Sequence, residues 1–227
     1  MIPINRRLLK VSEYIKGKKL ADIGSDHAYL PIYAIQSGQI EEAIAGEVIK
    51  GPFTATQKSV AEHGLSAKIN VRLGDGLTVL NHDDHVDSVT ICGMGGPLIT
   101  RILKNGFQHI PNYPRLILQS NIQSEPIRRF LQEHNYKIVT ETLIKERAHI
   151  YEIIVAEKGT MNLSEKDFKF GPFLHTQINE LFIEKWEREL EALDEIKQHL
   201  NPEKHQIRFN EITQQQLLIK EVLNQCM

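Results

Sequence analysis

The chain has few cysteines and no long apolar segment. Its 227 residues include 2 cysteines, Cys92 and Cys226, which are too few for a disulfide framework and indicate a reducing compartment. Residues 1–19 lack the apolar core of a signal peptide, and no later segment is long enough to cross a membrane. We therefore expect a cytoplasmic protein that has no membrane partner.

The chain also lacks a strong excess of either charge. It has 27 Lys and Arg residues against 29 Asp and Glu residues, a formal net charge of −2, so its overall charge does not attract nucleic acid. Residues 160–227 contain 8 Lys and Arg against 12 Asp and Glu. The C-terminal part is therefore not an arm that binds nucleic acid through its total charge.

From Leu20 to about Gly159, apolar segments of strand length alternate with helical patterns, which predicts an α/β fold with a Rossmann-like, doubly wound sheet. The polar connection from Lys145 to His149 is short enough for a hairpin, so we expect the last two of seven strands to be antiparallel. The candidate strands are Leu20–Ile23, Ala43–Glu47, Ile69–Leu73, Ser88–Cys92, Leu116–Gln119, Ile138–Ile144 and Tyr151–Glu157.

Several helices can be predicted from caps and apolar spacing. Asn5 is placed to cap a helix over Arg6–Lys16, and Ser124 is placed to cap a helix over Pro126–His134. Two further helical patterns cover Pro52–His63 and Leu98–Lys104.

After Gly159 the pattern changes to long helices. A stripe from Phe182 to Leu200 has helical spacing, and Asn201-Pro202 is suited to ending one helix and starting the next. We predict a coiled-coil-like antiparallel helical hairpin whose first arm spans about 28 residues, or about 40 Å. The expected domains are residues 1–159, the Rossmann-like part, and residues 160–227, the helical hairpin.

The segment from Lys19 to Pro31, KLADIGSDHAYLP, is the most informative motif. A buried strand ends at Asp22-Ile23-Gly24 and gives way to Ser25-Asp26, and the residues from His27 to Leu30 suit the first turns of a helix. Gly24 would allow the backbone to approach a nucleotide-like ligand at the carboxyl edge of the sheet. Asp26 replaces the second glycine of a dinucleotide fingerprint, which disfavours NAD or FAD and favours S-adenosylmethionine, a cationic ligand with hydroxyl groups.

Acids also follow the next two strands. Glu47 is placed to hold ribose hydroxyls, the alternative being a capping or solvated acid. Asp75 is placed to accept from an adenine amino group and Gly76 to leave room for the ring, the alternative being a simple Asp-Gly turn. The candidate cofactor-binding residues are Asp22, Gly24, Asp26, Tyr29, Glu47, Asp75, Gly76, Cys92 and Gly93.

The fourth and fifth strands end in CGMGG and LQSN. The glycines open a backbone-lined surface, and Gln119 and Asn121 either read the edge of a base or satisfy their own loop. Cys92 is more simply a small buried hydrophobe than a nucleophile. His82-Asp83-Asp84-His85 lies in a polar connection without further ligands at suitable spacing, so we expect no metal.

These motifs occur in order: ADIGSDHAYLP, Glu47-x-x-x-Gly51-Pro52, LGDGL, CGMGG and LQSN. Together they resemble the bacterial tRNA (adenine(22)-N1)-methyltransferase family over essentially the whole chain. The resemblance implies a Rossmann-like methyltransferase sheet, methyl transfer from S-adenosylmethionine to N1 of an adenine in tRNA, S-adenosylhomocysteine as product, and a hairpin that helps to hold the tRNA. The alternative is methylation of another RNA base or of a small molecule.

Adenine N1 can attack a sulfonium methyl directly once its Watson–Crick edge is exposed. Catalysis then depends on positioning and on stabilising a cationic product ring. We expect Asp26 to face the reacting centre, with His27 and Asn121 as supporting catalytic residues. The candidate RNA-binding residues are Arg6, Arg7, Lys10, Arg128 and Arg129, and we expect a monomer.

Overall fold

The computed structural model describes residues 2–224 and divides the chain into two compact units, of which the first ends at Pro172 and the second begins at Phe173. The first unit contains a seven-stranded sheet in the order β3-β2-β1-β4-β5-β7-β6. The predicted number of strands is confirmed. The strands are β1 Lys19–Ile23, β2 Glu42–Glu47, β3 Ile69–Leu73, β4 Ser88–Met94, β5 Arg115–Ser120, β6 Tyr136–Glu146 and β7 His149–Lys158.

The pairing of the strands places the candidate site. Strands β1 to β5 are parallel, whereas β7 is antiparallel to both β5 and β6, as predicted. The strand order reverses between β1 and β4, and ligands of such sheets bind in the crevice beyond the carboxyl ends at that point. The central strands are apolar and buried because helices cover both faces of the sheet.

Six helices accompany the sheet among the described residues: α1 Arg6–Ser12, α2 Tyr29–Gln36, α3 Lys50–Glu62, α4 Gly96–Gly106, α5 Glu125–Glu133 and α6 Glu165–Phe170. Asn5 caps α1 as predicted, since its side chain accepts from the N–H of Leu8 at 2.8 Å. Ser124 is the N-cap residue of α5, but its hydroxyl pairs with that of Ser120 at 2.5 Å and not with the helix. The predicted side-chain cap is therefore wrong.

Arg128 is buried, so its predicted role as an RNA-binding residue is wrong. Its guanidinium is fully inaccessible and lies 2.7 Å from carboxylate oxygens of both Glu141 and Glu152. It also donates to the carbonyl of Phe168 at 3.1 Å. This one side chain therefore joins α5, β6, β7 and α6.

Arg129, also predicted to bind RNA, forms ion pairs and a ring contact with neighbouring residues. It pairs with Glu125 at 2.8 Å and Glu165 at 2.5 Å, and its guanidinium lies 4.2 Å from the centre of the Phe168 ring. These contacts tie α6 to α5, which explains why the first unit extends to Pro172, beyond the boundary after Gly159 that the sequence suggests.

The second unit contains the predicted helical hairpin, formed by α7 Glu180–Gln198 and α8 Gln206–Asn224. The first arm has 19 residues, about 28 Å, so the predicted length was wrong. Asn179 caps α7 by accepting from the N–H of Phe182 at 3.0 Å. Asn201 lies in the connection, where its side chain accepts from the N–H groups of Glu203 and Lys204, so Asn201-Pro202 does not start α8.

A polar contact fixes how α7 and α8 face each other. Gln216 of α8 is buried. The other buried residues of the two helices are apolar: Phe182, Trp186, Leu193, Ile212, Ile219 and Val222. The amide of Gln216 donates to Asp194 at 2.5 Å and accepts from Lys197 at 3.1 Å. Within residues 2–224, no helix combines the length and apolarity needed to cross a bilayer. Cys226 lies outside the described residues.

The buried ion pairs of Arg128 give a direct test of this packing. Arg128→Ala removes the buried guanidinium that pairs with both Glu141 and Glu152 and should lower the free energy of unfolding by about 3–5 kcal/mol. Its neighbour Arg129 provides the matched control because its pairs are partly exposed to solvent, and Arg129→Ala should cost about 1 kcal/mol or less. Urea unfolding measures both values. Similar losses in the two variants would contradict the assignment.

Candidate active site

The end of β1 is built around a buried carboxylate. Asp22 is 4% exposed, and its two oxygens accept hydrogen bonds at 2.6 Å from the hydroxyls of Ser25 and Thr90. Gly24 follows with φ 72°, and the N–H groups of Gly24 and Ser25 both donate to the carbonyl of Gly46. Asp22 therefore places a negative charge beneath the turn that follows β1.

That turn is left-handed, so the helix that the sequence predicts from His27 starts two residues later, at Tyr29. Asp26, His27 and Ala28 have φ values of 42°, 64° and 56°, and α2 begins only at Tyr29. Residues other than glycine rarely adopt this conformation, and three in succession persist only where their surroundings impose it. The turn leaves the Asp26 side chain 86% exposed and the His27 side chain 45% exposed, with the rings of His27 and Tyr29 stacked at 5.4 Å.

Glu47 holds this turn in place from the end of β2. It is 6% exposed, and its Oε1 accepts from the N–H of Asp26 at 2.8 Å and from the Thr56 hydroxyl at 3.3 Å. Among residues 2–224, both hydrogen bonds of the Glu47 carboxylate fall on Oε1. The other oxygen, Oε2, is therefore available to accept hydrogen bonds from a ligand.

The residues after β3 agree only in part with the prediction. Asp75 is exposed at the carboxyl edge and does not cap the 3-10 turn Gly76–Val79 that follows it. Gly76 is buried, and a Cβ on it would lie 2.8 Å from Ile102 Cγ2 of α4. The missing side chain therefore makes room for α4, while the role of Gly76 beside a ring of the ligand stays a prediction.

Amide side chains fix the ends of β4 and β5. Gln119 is fully buried, and its Oε1 accepts from the N–H of Gly93 at 2.8 Å. Its Nε2 donates to Asn121 Oδ1 at 3.1 Å, while Asn121 Nδ2 donates to the carbonyl of Gly93 at 2.9 Å. Both side chains thus bind the backbone of Gly93, in the neighbouring turn after β4, and not that of their own loop.

Arg7 reaches this network from α1. Its guanidinium donates to Gln119 Oε1 and lies 5.3 Å from the centre of the Tyr151 ring. A Cβ on Gly93 would lie 3.5 Å from Arg7 Nη1, so Arg7 borders the turn after β4. The sequence indicated a basic surface here but gave no signal that α1 directs one arginine to the carboxyl edge. Arg6 is exposed, and Lys10 pairs with Glu13 at 2.6 Å.

Cys92 and the His82–His85 segment have simpler roles. Burial, aided by the charge of Asp22, raises the pKa of the Cys92 thiol, which disfavours the thiolate that a covalent mechanism needs. Asp84 pairs with Arg72 at 2.5 Å and so anchors the connection between β3 and β4. Among the described residues, no group of three or more His, Cys, Asp or Glu side chains is arranged to hold a metal ion.

The carboxylates of this edge fit S-adenosylmethionine, a cationic ligand with hydroxyl groups. Buried Asp22 and the available Glu47 oxygen lie at the ends of β1 and β2, and the exposed Asp75 follows β3, so one rim carries three acids. A family model described as tRNA (adenine(22)-N(1))-methyltransferase matches residues 20–221. The chain belongs to this family.

Relatives of this methyltransferase family match nearly the whole chain. The tRNA (adenine(22)-N(1))-methyltransferase of Bacillus subtilis (strain 168) is 38% identical over 98% of each chain. The structure of Streptococcus pneumoniae Sp1610 in complex with S-adenosyl-L-methionine is 42% identical, with a TM-score of 0.89, and covers 97% of this chain and 100% of that one. The structure of M. capricolum TrmK with S-adenosyl-homocysteine is 32% identical, with a TM-score of 0.86, over 97% and 98% of the two chains.

The family resemblance based on the motifs is thus confirmed. Two residues whose hydroxyls bind the acids of the site were missed in the sequence: Thr90, which donates to Asp22, and Thr56, which donates to Glu47. Thr90 and Thr56 lie inside a strand and a helix, where nothing in the local pattern distinguishes them from packing residues.

The carboxylate of Asp22 gives a pH-dependent prediction. Burial raises its pKa from 3.8 to about 6, and the charge of Glu47 adds to the effect, while hydrogen bonds from Ser25 and Thr90 and the charge of Arg7 oppose it. The folded state therefore binds this proton more tightly than the unfolded state does. The free energy of unfolding should fall by about 3 kcal/mol as pH rises from about 4 to above 6.

Asp22→Asn removes this titration and provides the comparison. The free energy of unfolding of the unchanged protein, relative to that of the variant, should fall by about 3 kcal/mol as pH rises from about 4 to above 6. Urea unfolding at each pH measures both values. Two parallel curves would show that Asp22 has an ordinary pKa.

Proposed function

We propose that the protein transfers a methyl group from S-adenosylmethionine to N1 of adenine 22 in tRNA. The observation that carries the proposal is the acidic rim at the ends of β1, β2 and β3, beside the Gly93–Gln119–Asn121 network, in a member of this family. The Bacillus subtilis relative bears that activity in its name, and two related structures contain S-adenosyl-L-methionine or its demethylated product. Because its substrate is tRNA, we place the protein in the cytoplasm.

Each residue of the rim binds a different part of the cofactor. When bound, S-adenosylmethionine supplies an electrophilic methyl group on a sulfonium. Glu47 accepts hydrogen bonds from the ribose hydroxyls through Oε2, and Asp75 accepts from the adenine amino group. Asp22 provides a buried negative charge that favours a cationic ligand, and Gly24 allows close approach of the backbone.

The target adenine lies on the other side of the turn after β1. Its N1 lone pair would attack the sulfonium methyl in line, and the methyl–sulfur bond would break to release S-adenosylhomocysteine. Catalysis is therefore chiefly a matter of holding two reactants at attack distance. The product ring is cationic, and the carboxylate of Asp26 stabilises that charge. His27 and Tyr29 support the ring, and the backbone carbonyl of Asn121 accepts from the exocyclic amino group.

Helix α1 provides the contacts with the tRNA phosphates. Arg6 is exposed, and Arg7 borders the site, so these two residues are the best placed of the predicted RNA-binding set. Lys10 contributes less because Glu13 offsets its charge. Phosphate contacts supply much of the affinity for nucleic acid, and these residues allow a protein of slightly negative net charge to bind tRNA locally. We retain a monomer as the expected state.

Methyl transfer can be mapped to a single atom. The protein is incubated with methyl-tritiated S-adenosylmethionine and two tRNA transcripts that differ only in carrying adenine or guanine at position 22. We expect label in the first transcript alone and a primer-extension stop at position 22, because a methyl group on N1 blocks base pairing. Label in a small molecule without RNA, or at another base, would contradict the proposal. It would instead support the alternative, methylation of a small molecule or of another RNA base.

The same assay tests the proposed role of Asp26. Asp26→Asn should lower kcat about tenfold and leave the affinity for S-adenosylmethionine unchanged, because the carboxylate acts on the charge that forms in the product ring. Asp83→Asn is the matched control, since Asp83 is 98% exposed in the connection between β3 and β4, and its kcat should not change. Equal rates for the two variants would remove Asp26 from the mechanism.

A further inference from the structure

An exposed isoleucine is fixed at the site by a rigid loop. Ile122 follows β5 and is 63% exposed, although the backbone around it is held on both sides. The N–H of Asn121 donates to the carbonyl of Met94, and the N–H of Gly96 donates to the carbonyl of Ile122, both at 2.8 Å. The next residue, Gln123, has a φ of 55°. The exposure of Ile122 is therefore imposed by the structure and does not come from a frayed loop.

The neighbouring glycine is not explained by the fold. Gly95 has φ −73° and ψ 149°, which any residue adopts, and a Cβ on it would lie 3.5 Å from Ile122 Cγ1 and 3.8 Å from Pro97 Cδ. These are ordinary contact distances. Gly96 differs because a Cβ there would lie 1.8 Å from the carbonyl oxygen of Gln123, so the packing requires that glycine.

Gly95, Pro97 and Ile122 together form an apolar surface, which we name the apolar shelf. Pro97 and Ile122 are both exposed, and Gly95 lies between them without a side chain. The shelf lies at the ends of β4 and β5, next to Gly93 and its contacts with Asn121 and Arg7. The three acids of the cofactor rim lie at the ends of β1, β2 and β3, so the shelf borders the side of the site that remains for the methyl acceptor.

We propose that the apolar shelf is the subsite for the face of the target adenine. A purine presents polar groups at its edge and an apolar π-face, and an aliphatic surface can cover that face without competing for the hydrogen bonds at the edge. The shelf would hold the ring in the plane from which N1 attacks, while Asp26 and the Asn121 carbonyl meet its polar groups. This inference rests on the proposed function and names the substrate contact of that same site.

A pair of variants of identical shape tests the apolar contact. Ile122→Val and Ile122→Thr are both β-branched, and they differ in one methyl group replaced by a hydroxyl. We expect Ile122→Val to keep kcat/KM for tRNA within about twofold, and Ile122→Thr to fall at least about fivefold below Ile122→Val, because a buried hydroxyl without a partner is unfavourable. Equal kcat/KM values for the two variants would overturn the proposal.

Gly95→Ala tests the missing side chain of the shelf. The added methyl group fits the backbone conformation and contacts only Ile122 and Pro97, so the melting temperature and the affinity for S-adenosylmethionine should not change. It rises into the space assigned to the ring, and kcat/KM for tRNA should fall about tenfold. Unchanged kcat/KM, or a loss that follows lower stability or weaker cofactor binding, would overturn the proposal.

Failure of this inference is distinguishable from failure of the proposed function. If the unchanged protein does not methylate adenine 22, the proposed function is wrong and the shelf has no substrate. If it does so and the variants show no selective loss, only the assignment of the shelf is wrong.

Discussion

The candidate site depends on one hydrogen bond, from the N–H of Asp26 to the carboxylate of Glu47. It joins the turn after β1 to the end of β2 and so holds three successive residues in a left-handed conformation. Without such a constraint the cost of that conformation would favour a relaxed turn. Asp26 and His27 are presented to the crevice only because the turn is held, and the proposed catalysis depends on where those side chains lie.

The remainder of the site is arranged around Gly93. Gln119 and Asn121 bind both polar groups of its backbone, so the turn after β4 has little freedom to move. Arg7 joins the same network from α1, which brings a positive charge to the ends of β4 and β5, on the other side of β1 from Glu47 and Asp75. The rim thus has an acidic part, suited to a cationic nucleoside, and a neutral to basic part, suited to RNA. This separation follows from the strand order, which places β2 and β3 on one side of β1 and β4 and β5 on the other.

The sequence predicted the sheet well because buried strands leave a strong apolar pattern. All seven strands, the antiparallel last pair and the family were found from such patterns and motifs. The turn at Asp26–Ala28 could not be predicted, since its conformation is imposed by Glu47, a residue distant in sequence. Arg128 was misplaced for a related reason: the pair Arg128-Arg129 is typical of a surface, and only the fold brings Glu141 and Glu152 to Arg128. The first hairpin helix was predicted too long because it begins only at Glu180, where the side chain of Asn179 caps it.

Binding of the cofactor tests the central claim most directly, namely that the carboxylate of Glu47 serves both the turn and the ligand. Calorimetric titration of S-adenosylmethionine and S-adenosylhomocysteine should show one site per chain. Glu47→Gln keeps an oxygen for the Asp26 N–H but loses the charge, so its affinity for both ligands should be at least about tenfold lower at an unchanged melting temperature. Absence of heat with the unchanged protein, or equal affinities for the two proteins, would contradict the account.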